Sequence, residues 1–152
     1  MPELPEVETV RRTLKNFIIG RPILGIDVYY SRIIVGDVKQ FIEAFTGEVF
    51  CDIDRVGKYL IFQCQEHAFV SHLRMEGKFH IVDSDEPVNK HTHVVFHMDH
   101  HQDLRYIDTR KFGRMECVDL HHYREQMPLK KLGPEPFDIT VEDLYQRLHH
   151  CS

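Results

Sequence analysis

Residues 48–74 read EVFCDIDRVGKYLIFQCQEHAFVSHLR, and this stretch decides the fold class. Val, Ile, Phe and Tyr are dense in it, and it breaks at Gly57 and again near Glu66. Three consecutive strands are predicted: Glu48–Val56, Lys58–Gln65 and Ala68–Arg74. The pattern continues downstream in Lys78–Val82, Thr92–Asp99, Leu104–Asp108 and Arg114–Leu120. Gly77, the Asp83–Pro87 segment and Gly113 supply the turns. Upstream, Val7, Val10, Leu14, Phe17 and Ile18 recur at helical spacing. They predict an amphipathic helix over 5–18, started by Pro5 and stopped by Gly20, after a short extended Met1–Leu4. Ile23–Tyr30 and Arg32–Val35 read as strands. Val38, Phe41, Ile42 and Phe45 form one face of a short helix closed by Gly47. Many strands with two early helices predict an α+β domain built around a β-sandwich.

The chain has 152 residues, a length suited to one domain and enough to bury a core without disulfide or metal staples. No apolar run approaches the 18 residues of a membrane span. The opening MPELPEVETV lacks the basic and apolar regions of a signal peptide, so a cytoplasmic setting with reduced thiols is expected. Cys51, Cys64, Cys117 and Cys151 contain no Cys-x-x-Cys pair, which gives no support to a zinc ribbon. Twelve His is a high count. His91 and His93 would share one strand face and, with His97, could start a metal site. The plainer reading is a solvated strand face and turn.

After Leu120 the texture changes. LGPEP at 132–136 is turn-prone and suits a domain boundary, and Thr140 with Asp143 could cap a new helix. The expected organisation is a sandwich domain over 1–133, then a linker and the start of a helix over 134–152 leading toward a second domain.

Four stretches offer chemistry. If Met1 is removed, Pro2 becomes a terminal secondary amine, whose class titrates near ~7.7–8.0, far below lysine. Attack by such an amine on an aldehyde-like carbon gives a positively charged iminium, an electron sink for elimination. Glu3 and Glu6 stand nearby as acid/base groups. SHLRMEGK at 71–78 and DTRKFGR at 108–114 place Met75 and Phe112 among cations, the pattern of side chains that wedge between base steps while Arg takes up exposed base edges. Taken alone, Met75 and Phe112 read more readily as core residues. RVGKY at 55–59 sets Lys58 at a strand start, where a solvated edge is the bland alternative.

Six blocks in order carry a resemblance: MPELPEVETVRRTL, RVGKYLIF, SHLRMEGKF, KHTHVVF, LRYIDTRKFGRM and LGPEPF. The chain resembles the formamidopyrimidine-DNA glycosylase family over nearly its whole length. The resemblance implies a two-layered β-sandwich with flanking helices, as in that family's N-terminal domain. It implies base-excision repair by a bifunctional glycosylase and abasic-site lyase that removes oxidised purines such as 8-oxoguanine. By the same resemblance Pro2 is the Schiff-base nucleophile, Glu3 assists as acid/base, and Lys58 contacts phosphate and assists β-elimination. His72 and His91 contact DNA. Met75, Arg110 and Phe112 fill the gap left by an everted base, with Arg110 facing the orphaned cytosine, while Glu76 and Glu6 line the base pocket. The physical demand is coherent, because chemistry at C1′ needs the nucleotide out of the stack.

The family's helix-two-turn-helix domain and zinc finger have no counterpart in these 152 residues, so no metal or cofactor is expected here. The expected partner is damaged double-stranded DNA, with no membrane, and the expected state is a monomer. A non-catalytic DNA-binding or remnant domain that keeps Met1 is the alternative. The net charge of −5 excludes a nonspecific polycation, but its distribution is uneven. Residues 55–82 and 110–118 each carry +2 and the remainder carries −9. The chain is therefore expected to hold DNA weakly and in a salt-sensitive way.

Overall fold

The structure is a computed structural model, and it describes residues 4–74 and 76–123. Two four-stranded antiparallel sheets face each other. One runs in the order β1 (Gly25–Val28), β6 (Thr92–His97), β7 (Gln102–Ile107), β5 (Lys78–Asp83). The other runs β2 (Asp52–Val56), β3 (Tyr59–Gln63), β4 (Ala68–His72), β8 (Arg114–Val118). The expected two-layered α+β sandwich is therefore present.

Apolar alternation explains the layering. Ile53, Leu60, Phe62 and Phe69 of the second sheet meet Val94, Phe96, Leu104 and Tyr106 of the first in one buried cluster. Phe62, Phe69 and Phe96 form a continuous stack, with ring centroids 4.7 and 5.4 Å apart and interplanar angles of 9° and 4°. Such offset rings contribute beyond their buried area.

Helix α1 (Leu4–Ile18) buries Val7, Leu14 and Ile18 and packs against β2 and β3. Helix α2 (Val38–Phe45) starts at Asp37, whose carboxylate accepts from the Lys39 and Gln40 amides. It inserts Phe41 and Phe45 against Phe69.

The expected strand over Arg32–Val35 is instead a single 3-10 turn, Ser31–Ile33. Ile33 and Ile34 are buried, so the apolar run is real. Ile34 bridges to Met115 in isolation, with no ladder to extend. His91 lies in the turn before β6 and not on a strand, and a register shift between Thr92 and Val94 separates it from the ladder. His93 is 2% exposed, against the expected solvated face.

Cys64 and Cys117 are free thiols, whereas Cys51 is disulfide-bonded, so the expectation of reduced thiols holds for the first two only. The proposed boundary at 132–136 and the helix after Thr140 lie outside the described residues. No helix among the described residues is long and apolar enough to cross a membrane.

Candidate nucleic-acid interface

One end of the sandwich gathers the basic loops. Val56 pairs with Tyr59, so β2 and β3 are joined by only Gly57 and Lys58. Gly57 sits at φ +60, the left-handed conformation that a tight hairpin favours at its first central position. Lys58 follows it, half-buried. Across the ladder Tyr59 pairs with His72, and their rings lie 4.6 Å apart. His72 is 8% exposed, and its Nδ1 has no hydrogen-bond partner. Burial, followed by the charges of Arg74 and Lys58, holds its imidazole down to about 4. His72 is therefore neutral at pH 7, a hydrogen-bonding group between two cations.

Helix α1 is tied to the same turn. Glu8 accepts from Arg11, Arg12 and Arg55, with the Arg55 contact at 3.0 Å. Arg55 also donates to the Gly57 carbonyl at 2.9 Å. The helix begins at Leu4, two residues after Pro2 in the chain, and its first turns are anchored beside Lys58. Glu6 is exposed on that first turn.

The loop from Ile107 to Arg114 is organised by Asp108, which is fully buried. Its Oδ1 accepts from the Arg110 and Lys111 amides at 3.0 and 3.1 Å. Its Oδ2 accepts from the Gly113 amide and the Tyr106 hydroxyl, both at 2.8 Å. Its backbone amide donates to the His91 carbonyl, and its carbonyl accepts from His93 Nε2 at 2.7 Å. With its base so held, the loop presents Arg110 and Phe112 outward, and Phe112 is 50% exposed. Lys111 lies at φ +61, with its Nζ 4.9 Å above the Tyr30 ring. Glu76 and Arg110 approach to 3.8 Å from neighbouring loops.

Lys58, His72, Glu76, His91, Arg110 and Phe112 thus belong to turns and strand ends on this side of the sandwich. Pro2, Glu3 and Met75 lie outside the described residues. Sequence reading missed Tyr106, Asp108 and Glu8 as organisers. Asp108 and Gly113 stand in the quoted block LRYIDTRKFGRM, but nothing in the spacing shows that one carboxylate gathers four donors.

Two other clusters hold residues of metal-ligating type. The trio His91, His93 and His97 does not form a site. The His93 ring bonds the Asp108 carbonyl, and His97 bonds Asp103 through Nδ1 and Asp27 through Nε2. Glu48, Glu66 and His67 bring ligand atoms within 4.8 Å of one another, but at the β3–β4 turn, the opposite end of β3 from Lys58. Glu48 there accepts from the Glu66 and His67 amides and closes that hairpin.

Residues 1–115 match the family model described as Formamidopyrimidine-DNA glycosylase N-terminal domain. The chain belongs to the formamidopyrimidine-DNA glycosylase family. It is 46% identical over 155 residues to the formamidopyrimidine-DNA glycosylase of Latilactobacillus sakei, with 99% of this chain and 56% of that protein covered. It is 47% identical over 156 residues to that of Bacillus cereus, with 100% and 56% covered. Among solved structures, the Lactococcus lactis Fpg in complex with abasic-site DNA aligns with a TM-score of 0.84 at 40% identity, over 89% of this chain and 51% of that one. The Lactococcus lactis complex with Fapy-dG-containing DNA (a G226P mutant, in that protein's numbering) gives the same TM-score at 41% identity. The chain spans about half the length of the glycosylases it matches.

Proposed function

We propose that this chain is the nucleophile-bearing, damage-reading part of a base-excision glycosylase and abasic-site lyase for oxidised purines. The observation that carries the reading is the Asp108-braced loop. It projects the half-exposed Phe112, preceded by Arg110 and Lys111 and followed by Arg114, at the end of the sandwich where Lys58 and His72 also stand. An exposed aromatic among cations, fixed at its base, fits insertion into a duplex from which a nucleotide has been everted.

In this reading, removal of Met1 frees the Pro2 amine. Its nitrogen attacks C1′, the C1′–base bond breaks, and the base leaves with a proton. Glu3 assists at the sugar, ring opening gives the iminium, and loss of the C2′ proton expels the 3′ phosphate. Lys58 and neutral His72 hold the flanking phosphate, His91 supports the wedge loop, Met75 fills the void with Phe112, and Glu6 and Glu76 face the base. The chemistry is covalent and needs no metal from these residues. The partner is damaged duplex DNA and the working unit is one chain.

Intact mass first establishes loss of Met1. The Met1-free chain is then mixed with a duplex holding 8-oxoguanine opposite cytosine and treated with borohydride. A reduced covalent complex is expected, together with tighter binding of the damaged duplex than of its intact twin. Equal affinity for the two duplexes and no covalent complex overturns the reading. Damage selectivity in a chain that keeps Met1 and traps nothing favours the non-catalytic DNA reader.

A further inference from the structure

The Tyr106 hydroxyl sits where two loops meet. Gly77 ends the loop from β4 to β5, and Gly113 ends the loop from β7 to β8. A Cβ placed on Gly113 would fall 1.6 Å from the Tyr106 hydroxyl oxygen, and one on Gly77 would fall 2.6 Å from it. Both loops therefore close on the same oxygen, and neither position has room for a side chain. The hydroxyl donates to Asp108, whose carboxylate holds the Arg110, Lys111 and Gly113 amides. In each loop a cationic residue takes a left-handed backbone, Arg74 at φ +60 and Lys111 at φ +61. Such strain persists only where surroundings impose it.

We propose that Tyr106 and Asp108 are positioning residues that lock the 73–77 and 108–113 loops into one unit, so that the side chains filling the void in DNA enter together. The inference rests on the damage-reading function proposed above. Neither residue touches DNA. Tyr106 is fully buried in the core beside Phe79, and Asp108 is fully buried beneath its loop. Their effect passes through Arg110, Phe112 and the segment ending at Gly77. The Asp108 carboxylate accepts through both oxygens, and an amide side chain offers one acceptor oxygen and puts a donor in place of the other.

The test uses the 152-residue chain and a duplex with a tetrahydrofuran abasic analogue beside 2-aminopurine, with an intact duplex for comparison. Affinity for each duplex gives a selectivity ratio, and 2-aminopurine fluorescence reports unstacking by the wedge. Variants are Tyr106→Phe, Asp108→Asn, Phe112→Ala and the double Tyr106→Phe/Phe112→Ala, assayed at a temperature where thermal melting shows each folded.

Tyr106→Phe should lower selectivity by roughly five-fold, the size of one lost hydrogen bond, and damp the fluorescence rise while leaving intact-duplex affinity unchanged. Asp108→Asn should do the same or more. The double variant should lose clearly less than the sum of the two single losses, because the hydroxyl and the Phe112 ring act within one unit. If Phe112→Ala loses selectivity and Tyr106→Phe keeps both parental readouts, the lock is overturned and the DNA reading stands. Additive losses in the double variant also overturn the lock. If the parent chain shows no selectivity, or Phe112→Ala equals it, the DNA reading fails and the lock with it.

Discussion

Glu8 and Arg55, 47 positions apart, meet at 3.0 Å and join the first helix to the hairpin that carries Lys58. Burial raises the Glu8 carboxyl, but Arg55, Arg11 and Arg12 outweigh it and hold it below the ordinary 4.5. A carboxyl depressed in the folded state stabilises above its unfolded value, and that contribution is lost as pH falls through the folded one. Glu8→Gln should therefore flatten the loss of stability below about pH 4.5 and cost about 1 kcal/mol at neutral pH. Urea melts between pH 3 and 7 check both. Unchanged acid sensitivity would show that the pair contributes nothing.

Two histidines pull stability in opposite directions with pH. Burial lowers His97, but hydrogen bonds to Asp27 and Asp103 outweigh it and raise it above 6.5. His97 thus stabilises the fold below pH 6.5, and this is lost as pH rises through its folded value. His72, pushed down to about 4, stays neutral in the fold while the unfolded chain takes up a proton. Stability is accordingly lost as pH falls from 6.5 toward 4. The melting temperature should peak between these flanks. His97→Asn should remove the alkaline decline and leave the acid one. Proton NMR should find the His72 ring neutral at pH 5.5 and the His97 ring titrating above 6.5.

Gly113→Ala should be far more damaging than its one carbon suggests. The new methyl meets the Tyr106 oxygen at 1.6 Å, so the buried hydroxyl must leave Asp108. A loss of about 3 kcal/mol is expected from overpacking together with an unsatisfied buried acceptor. Gly36→Ala, at φ +97 with open space around its Cβ, should cost only about 1 kcal/mol of backbone strain. Comparable midpoints for the two in urea would contradict the crowding at Tyr106.

Phe112→Ala separates fold from function. The ring is half-exposed, so its removal should change stability by less than about 0.5 kcal/mol. Selectivity for abasic over intact duplex should nonetheless fall by about ten-fold. A large drop in melting temperature would make Phe112 a packing residue instead.

Much of this was legible in the sequence. Helix α2 runs over Val38–Phe45 as its spacing predicts, and α1 ends at Ile18 before Gly20. Each strand predicted between residues 48 and 120 is present, though the ends are shorter or shifted by a few residues, because ladder pairing and not propensity decides where a strand stops. Ser31–Ile33 misled because buried Ile33 and Ile34 face a single bridge, and periodicity cannot count partners. His93 misled in the opposite sense, since a ring that bonds the Asp108 carbonyl can be buried where an unpaired one cannot. The exposed 108–113 loop was recognisable from its residues in order. Its bracing was not, because Tyr106 acquires its role only when Gly77 and Gly113, 36 positions apart, close upon it.

The two loops that meet at Tyr106 share a further property. Each crosses from one sheet to the other, β4 to β5 and β7 to β8. A load applied at the loop tips is therefore transmitted as shear between the layers rather than as bending of a hairpin. The Phe62–Phe69–Phe96 stack spans that interface, so sliding of one layer over the other would have to unstack Phe69 from Phe96. In the function proposed above, the rigidity of the paired loops would then depend on ring packing in the middle of the core as well as on Tyr106.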